Sequence, residues 1–174
     1  EVGIFPTTYL DNICKPGWPL ATHPDYGTPG IEASTGSLGH GLGLAVGMAY
    51  ADKMHGKARD IFVVMSDGEL QEGQFWESLP SAVHLKLGEL VVIVDHNKIQ
   101  SDTWVHQVND LGDIEAKLRA FGWVQTSVTM PRSAKRMLRV RERRKPMSAA
   151  GFVSPFMRCL RVSALVLGGG CVRL

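Results

Sequence analysis

A chain of 174 residues with 44% apolar content is long enough to bury one ordinary core and falls in the soluble globular class. Its longest apolar stretch, near Val162 to Val172, holds three glycines and is too short to span a bilayer; no basic segment followed by an apolar one opens the chain, so neither a membrane span nor a secretory signal is expected. The net charge of +2 hides a division: residues 1–123 carry 8 Lys+Arg against 16 Asp+Glu, and residues 124–174 carry 11 against 1. So abrupt a change marks a boundary, and the expected organisation is a first unit at 1–128 and a basic tail at 129–174. Three cysteines, Cys14, Cys159 and Cys171, form no metal-ligand spacing; so sparse and odd a set fits a reducing, cytoplasmic setting. Glu1 rather than Met opens the sequence, so an upstream start is expected.

Residues 1–35 are punctuated by Pro6, Pro16-Gly17, Pro19, Pro24 and Pro29-Gly30, which predicts an irregular segment with at most a short helix. After the Ser/Thr/Gly cluster of "STGSLGHG", Leu42, Ala45, Val46 and Ala49 recur at helical spacing, placing a helix at 39–55 closed by Gly56. "DIFVVMS" (60–66) reads as a buried parallel strand. Phe75, Trp76, Leu79 and Val83 give a helical period over 71–85 despite Pro80, and "ELVVIVDHN" (89–97) is a second buried strand. Asp113 and Gly122 bracket a helix containing Ile114, Leu118 and Phe121, and "WVQTSV" (123–128) reads as a third strand. Strand, helix, strand, helix, strand in close succession predicts an α/β fold with a parallel sheet.

In open parallel sheets, ligands bind beyond the carboxyl ends of the strands. The first strand ends on Ser66-Asp67-Gly68 and the second on Asp95-His96-Asn97, with Asp67 and Asn97 30 residues apart. An Asp carboxylate and an Asn carbonyl are the hard oxygen donors that Mg²⁺ or Ca²⁺ takes, and Mg²⁺ fills its octahedron with phosphate oxygens and water. Gly68 permits close backbone approach to a phosphate, and a helix N-terminus follows. Ordinary turn chemistry accounts for the same residues without any metal.

"SDGELQEG" followed by "DHNKIQ" resembles the diphosphate-binding signature of thiamine-diphosphate enzymes, Gly-Asp-Gly and then Asn nearly thirty residues on. "HPDYGTPGIEASTGSLGHGLGLAVGMA" (23–49) resembles the cofactor-binding half of transketolase, and more narrowly the separate amino-terminal subunits of split bacterial transketolases. The resemblance runs over residues 1–125. It implies a partial parallel-sheet thiamine-diphosphate-binding fold and transfer of a two-carbon ketol unit between sugar phosphates. Asp67, Asn97 and the Ile99 carbonyl would ligate Mg²⁺, and the Gly68 amide would contact the diphosphate. Gly36, Ser37 and Leu38 would hold the aminopyrimidine side, and His23 would touch the donor substrate. Glu72 would lie at a subunit interface near the partner's cofactor-activating glutamate.

Ser66 stands for the first Gly of the signature, His96 for an Asn or Tyr, and Ser37 for a Pro; none of these removes a metal ligand. The family's upstream histidine-bearing segment and its pyrimidine-binding domain have no counterpart in this sequence. The implied enzyme is therefore larger or two-subunit, a homo- or hetero-oligomer whose partner is a pyrimidine-binding domain or subunit. Rival expectations are another thiamine-diphosphate enzyme acting on a 2-oxo acid or an unusual sugar, and a non-catalytic truncated remnant with a basic tail.

Among the remaining polar and aromatic residues, His40 and His96 read as solvated or helix-start histidines and Glu69 as a solvated first-turn acid. Trp76, Trp104 and Trp123 read as core or interface residues. "SAKRMLRVRERRK" (133–145) has the composition of a basic amphipathic helix, a type that binds nucleic acid, but no aromatics interleave with it and a solvated segment is expected. Arg-rich, acid-poor sequence after an intact motif region also fits an out-of-frame end.

Overall fold

The Pro/Gly-rich opening makes little regular structure. In a computed structural model of the protein, which describes residues 4–23, 25–101, 103–129, 136–142 and 164–167, only Thr7–Asn12 close into a 3-10 helix before residue 40. Helix α1 (His40–Met54) then enters from Gly39, whose φ of 81° is left-handed, and stops before Gly56, also left-handed at 66°. Its buried residues Leu42, Ala45 and Ala49 are those whose spacing announced the helix.

Strand β1 (Ile61–Ser66) and strand β2 (Leu90–His96) are parallel neighbours. A 3-10 turn at Gly68–Gln71 and helix α2 (Gly73–His84) connect them. Pro80 does not end α2, because Phe75, Leu79 and Ala82 on the inner face are all fully buried and their packing outweighs one missing amide. A two-residue hairpin, β3 (Ile99–Gln100) and β4 (Thr103–Trp104), and a single turn of helix, α3 (Val105–Val108), follow β2. Helix α4 (Ile114–Ala120) starts at Asp113, whose side chain accepts a hydrogen bond from the Ala116 amide at 2.8 Å. Strand β5 (Trp123–Thr129) comes next.

The main sheet has the order β5-β6-β2-β1-β7, where β6 is Arg136–Glu142 and β7 is Ala164–Leu167. The expected parallel sheet is made by β7, β1 and β2; β6 adds to it an antiparallel strand between β2 and β5. Of residues 133–145, whose composition suits a basic amphipathic helix though a solvated segment is expected, 136–142 are extended backbone. In sequence, Leu138 and Val140 alternate with Arg139 and Arg141, the period of a strand rather than a helix. Positions 133–135 and 143–145 of that run lie outside the described residues.

The principal core joins Ile61, Val63 and Met65 of β1 and Leu90, Val92 and Val94 of β2 to Leu42, Phe75, Leu79, Leu118 and Trp123. Phe62, Val91 and Ile93 pack together on the opposite sheet face. Burial on both faces explains why β1 and β2 read as continuous apolar runs. Trp123 is core, 1% exposed, and its indole donates to the Leu79 carbonyl at 3.2 Å. Trp76 donates to the Leu70 carbonyl at 2.7 Å and stands edge-on to Phe75, whereas Trp104 is exposed. Arg59 grips the buried Asp52 carboxylate at the end of α1 through two nitrogens and holds its pKa below the usual carboxylate value. Among the described residues no helix is long and apolar enough to cross a membrane.

Candidate functional site

The parallel register sets Ser66 beside Asp95, so β1 and β2 end together. One further rung, from the Asp67 amide to the Asp95 carbonyl at 3.2 Å, carries the pairing into the turns. Asp67 is 1% exposed. Its Oδ1 accepts from the Gly68 amide at 3.0 Å and its Oδ2 from the Lys98 amide at 2.6 Å, the latter belonging to the turn after β2. One carboxylate therefore locks the two strand ends against each other. In that second turn Asn97 Oδ1 accepts from the Ile99 amide at 2.8 Å, and its Nδ2 donates to Asp95 Oδ2 at 3.2 Å. Lys98 and Ser101 hold left-handed φ values of 67° and 46°, a local strain maintained by the contacts around it.

Burial pushes the Asp67 pKa above the usual carboxylate value, opposed by the Lys98 amide, the His96 ring and the Gly68 amide. His96 is half-buried with its Nε2 3.9 Å from Asp67 Oδ2; it is thus partnered, where a solvated ring was expected. Gly68 lies close under Gln100: a Cβ added there would stand 2.7 Å from Gln100 Oε1 and 2.9 Å from Gln100 Cβ. Gln100 Oε1 is itself buried without a hydrogen-bond partner.

Glu69 differs most from its expected role. It is fully buried, because the 3-10 turn folds it inward beneath the start of α1. Its Oε1 accepts from the Gly39 amide at 2.9 Å and its Oε2 from the Ser66 amide at 3.4 Å, while its own amide donates to Ser66 Oγ at 3.3 Å. Burial pushes its pKa up, and the two amides oppose that shift. The three acids of the turn therefore part company, with Asp67 and Glu69 inward and Glu72 exposed at the start of α2.

Gly36, Ser37 and Leu38 form an exposed loop directly before α1. His40 sits at the helix start, as expected, with Nδ1 3.2 Å from the carbonyls of both Ser37 and Leu38. Glu72 borders this loop, since a Cβ built at Gly39 would meet the Glu72 Cβ at 2.6 Å. His23 is exposed in the opening segment, and no hydrogen bond among the described residues links it to the strand ends. The structure thus gathers Asp67, Gly68, Asn97 and Ile99 at adjacent turns and sets Gly36–Leu38 beside Glu72. Sequence reasoning missed Glu69, His96 and Gln100 as members of the cluster; Gly39, placed where a helix begins, is the one residue that hinted at a tight contact there.

Among the described residues no three His, Cys, Asp or Glu side chains gather as a metal-binding group. A cation at these turns would rest on the Asp67 carboxylate and neutral oxygens, a donor set suited to Mg²⁺ completed by ligand and water. The buried carboxylate, the unpartnered Gln100 oxygen and the narrow approach at Gly68 fit a cation and an anionic ligand.

Residues 15–144 match the family model described as transketolase, thiamine diphosphate binding domain. The chain is 42% identical over 127 residues to the 6-deoxy-6-sulfo-D-fructose transketolase subunit SqwG of Clostridium sp. (strain MSTE9), covering 72% of this chain and 46% of that protein. It is 40% identical over 123 residues to one of the subunits of the apulose-4-phosphate transketolase of Actinobacillus succinogenes, covering 70% and 45%. The crystal structure of transketolase from Campylobacter jejuni superposes with a TM-score of 0.59 at 30% identity, covering 66% of this chain and 19% of that one. The chain therefore spans less than half the length of these relatives. With the family model matched over most of its length and the strand-end turns arranged as described, the chain belongs to the transketolase family, in its thiamine-diphosphate-binding domain.

Proposed function

We propose that this chain holds the magnesium-diphosphate end of thiamine diphosphate within a transketolase-type enzyme that moves a two-carbon ketol unit between sugar phosphates. The observation that carries the reading is the 2.6 Å hydrogen bond from the Lys98 amide to Asp67 Oδ2, which brings the carboxylate and the Asn97–Ile99 turn to one point beyond adjacent parallel strands. Asp67, Asn97 and the Ile99 carbonyl would bind Mg²⁺, which would offset the cost of burying the Asp67 charge. The Gly68 amide would face the diphosphate, and Gly36, Ser37 and Leu38 the aminopyrimidine. His23 would bind and orient the donor sugar phosphate, its exposure leaving it free to do so. Glu72, exposed beside the loop, would meet the partner's activating glutamate.

When bound, the cofactor supplies the carbanion chemistry of ketol transfer; these residues position it and shield its charged end from water. Every residue assigned a role lies within 1–128; the basic segment 129–174 carries none of them, though it supplies β6 and β7 to the sheet. A pyrimidine-binding domain or subunit completes the cleft in an oligomer. The exposed free thiol of Cys14 suits a reducing cytoplasm. A second reading concerns only the substrate: two relatives at 42% and 40% identity are named for a sulfo-sugar and for apulose 4-phosphate, which favours an unusual sugar over a common one.

Reconstitution with a complementing pyrimidine-binding subunit tests the proposal. Ketol transfer from a ketose phosphate or a modified ketose to an aldose phosphate is expected from the assembled enzyme and none from the 174-residue chain alone. Carbon dioxide release from a 2-oxo acid by the assembly, without ketol transfer, would overturn it, as would turnover by the isolated chain.

A further inference from the structure

We propose that Glu69 is a positioning residue that fixes the Gly36–Leu38 loop relative to the diphosphate turn, so that one buried carboxylate sets the spacing between the two ends of the cofactor cleft. This rests on the thiamine-diphosphate reading above and adds to it a residue to which that reading gives no role. Gly39 enters α1 in a left-handed conformation with no side-chain cap from its own segment. Its amide is instead satisfied from 30 residues away, by Glu69 Oε1 at 2.9 Å. The other carboxylate oxygen reaches the last amide of β1, at Ser66, over 3.4 Å.

The bond to Gly39 lies at the N-terminal end of a 15-residue helix, where amides without an intrahelical partner need an acceptor. Glu72 closes the other side of Gly39, so closely that a Cβ could not be inserted. Gly39 is thereby clamped between two acids of the same short turn. The loop that begins three residues earlier inherits its exit direction from that clamp. A fully buried carboxylate is costly to keep, and an apolar residue would serve if filling space were its only task. The paired acceptance from the Gly39 amide of one segment and the Ser66 amide of the other supplies the reason for a side chain with two acceptor oxygens.

Calorimetry on the full chain with two probes, Mg²⁺ with inorganic diphosphate and Mg²⁺ with thiamine diphosphate, separates positioning from general support, and amide hydrogen exchange at Gly39 is followed alongside. Glu69→Ala should weaken thiamine diphosphate about tenfold more than inorganic diphosphate and speed Gly39 exchange about tenfold, the scale of one hydrogen bond. Glu69→Gln, which keeps an oxygen for the Gly39 amide, should restore most of both. Should Glu69→Ala not fold, Glu69→Asp, too short to reach Gly39, takes its place with the same expectations. Equal weakening of the two probes, or unchanged Gly39 exchange, would overturn the proposal. Wild-type chain that binds neither probe would instead defeat the cofactor reading, and Gly39 exchange in the variants would still decide whether Glu69 fixes the loop.

Discussion

At Asp67, burial and hydrogen bonding act in opposite directions. Taking the carboxylate out of water disfavours its charge, while two amides and the nearby His96 favour it. His23 presents the contrasting case of an exposed side chain. If it serves the sugar rather than the cofactor, His23→Ala in the reconstituted enzyme should lower kcat/KM about tenfold or more, the loss of a hydrogen bond made to substrate. Thiamine diphosphate affinity should stay within about twofold, less than one ordinary hydrogen bond contributes. Normal kinetics with weakened cofactor binding would contradict that role. That Asp67 and Asn97 stand at neighbouring strand ends was legible in the sequence because each follows an apolar run within three residues, and strand ends are where parallel sheets bind ligands. Glu69 and His96 were not, because their partners, Gly39 and Asp67, lie 30 and 29 positions away and depend on how the turns fold over one another.

Among the elements, α1 shows how glycines at two positions can have opposite effects. Gly39 is left-handed, and an added Cβ would meet Glu72 at 2.6 Å, whereas Gly47 lies inside the helix with nothing within 4 Å of an added Cβ. Gly39→Ala should therefore destabilise the chain by about 2 kcal/mol or more, from conformational strain and steric overlap together. Gly47→Ala should stabilise it by about 0.5–1 kcal/mol, by lowering the entropy of the unfolded chain. Urea unfolding of both variants checks this; shifts of the same sign would show that the helix start is not held as described. Helices α1, α2 and α4 and strands β1, β2 and β5 were legible from period and caps. The β3–β4 hairpin and α3 were not: elements of two to four residues are too short to develop a period. β6 was left unassigned because its arginines drew attention to charge, when the alternation of Leu138 and Val140 with Arg139 and Arg141 carried the structural signal.

On the scale of the whole molecule, the acidic first part contains every residue of the candidate site, and the chain spans less than half of the relatives it matches. On the proposed reading, Asp67 and its turn would hold the metal and, through it, the diphosphate, so binding of thiamine diphosphate by this chain would depend heavily on the cation. Without Mg²⁺, a diphosphate at the turn would face Asp67 and the exposed Glu72 as unscreened negative charge. Titration calorimetry of thiamine diphosphate into the 174-residue chain, with Mg²⁺ and with chelator, beside the Asp67→Ala variant, tests this most directly. The account predicts weak, Mg²⁺-dependent binding by the wild-type chain that chelation and Asp67→Ala each abolish. Affinity undiminished in Asp67→Ala, or indifferent to Mg²⁺, would contradict it.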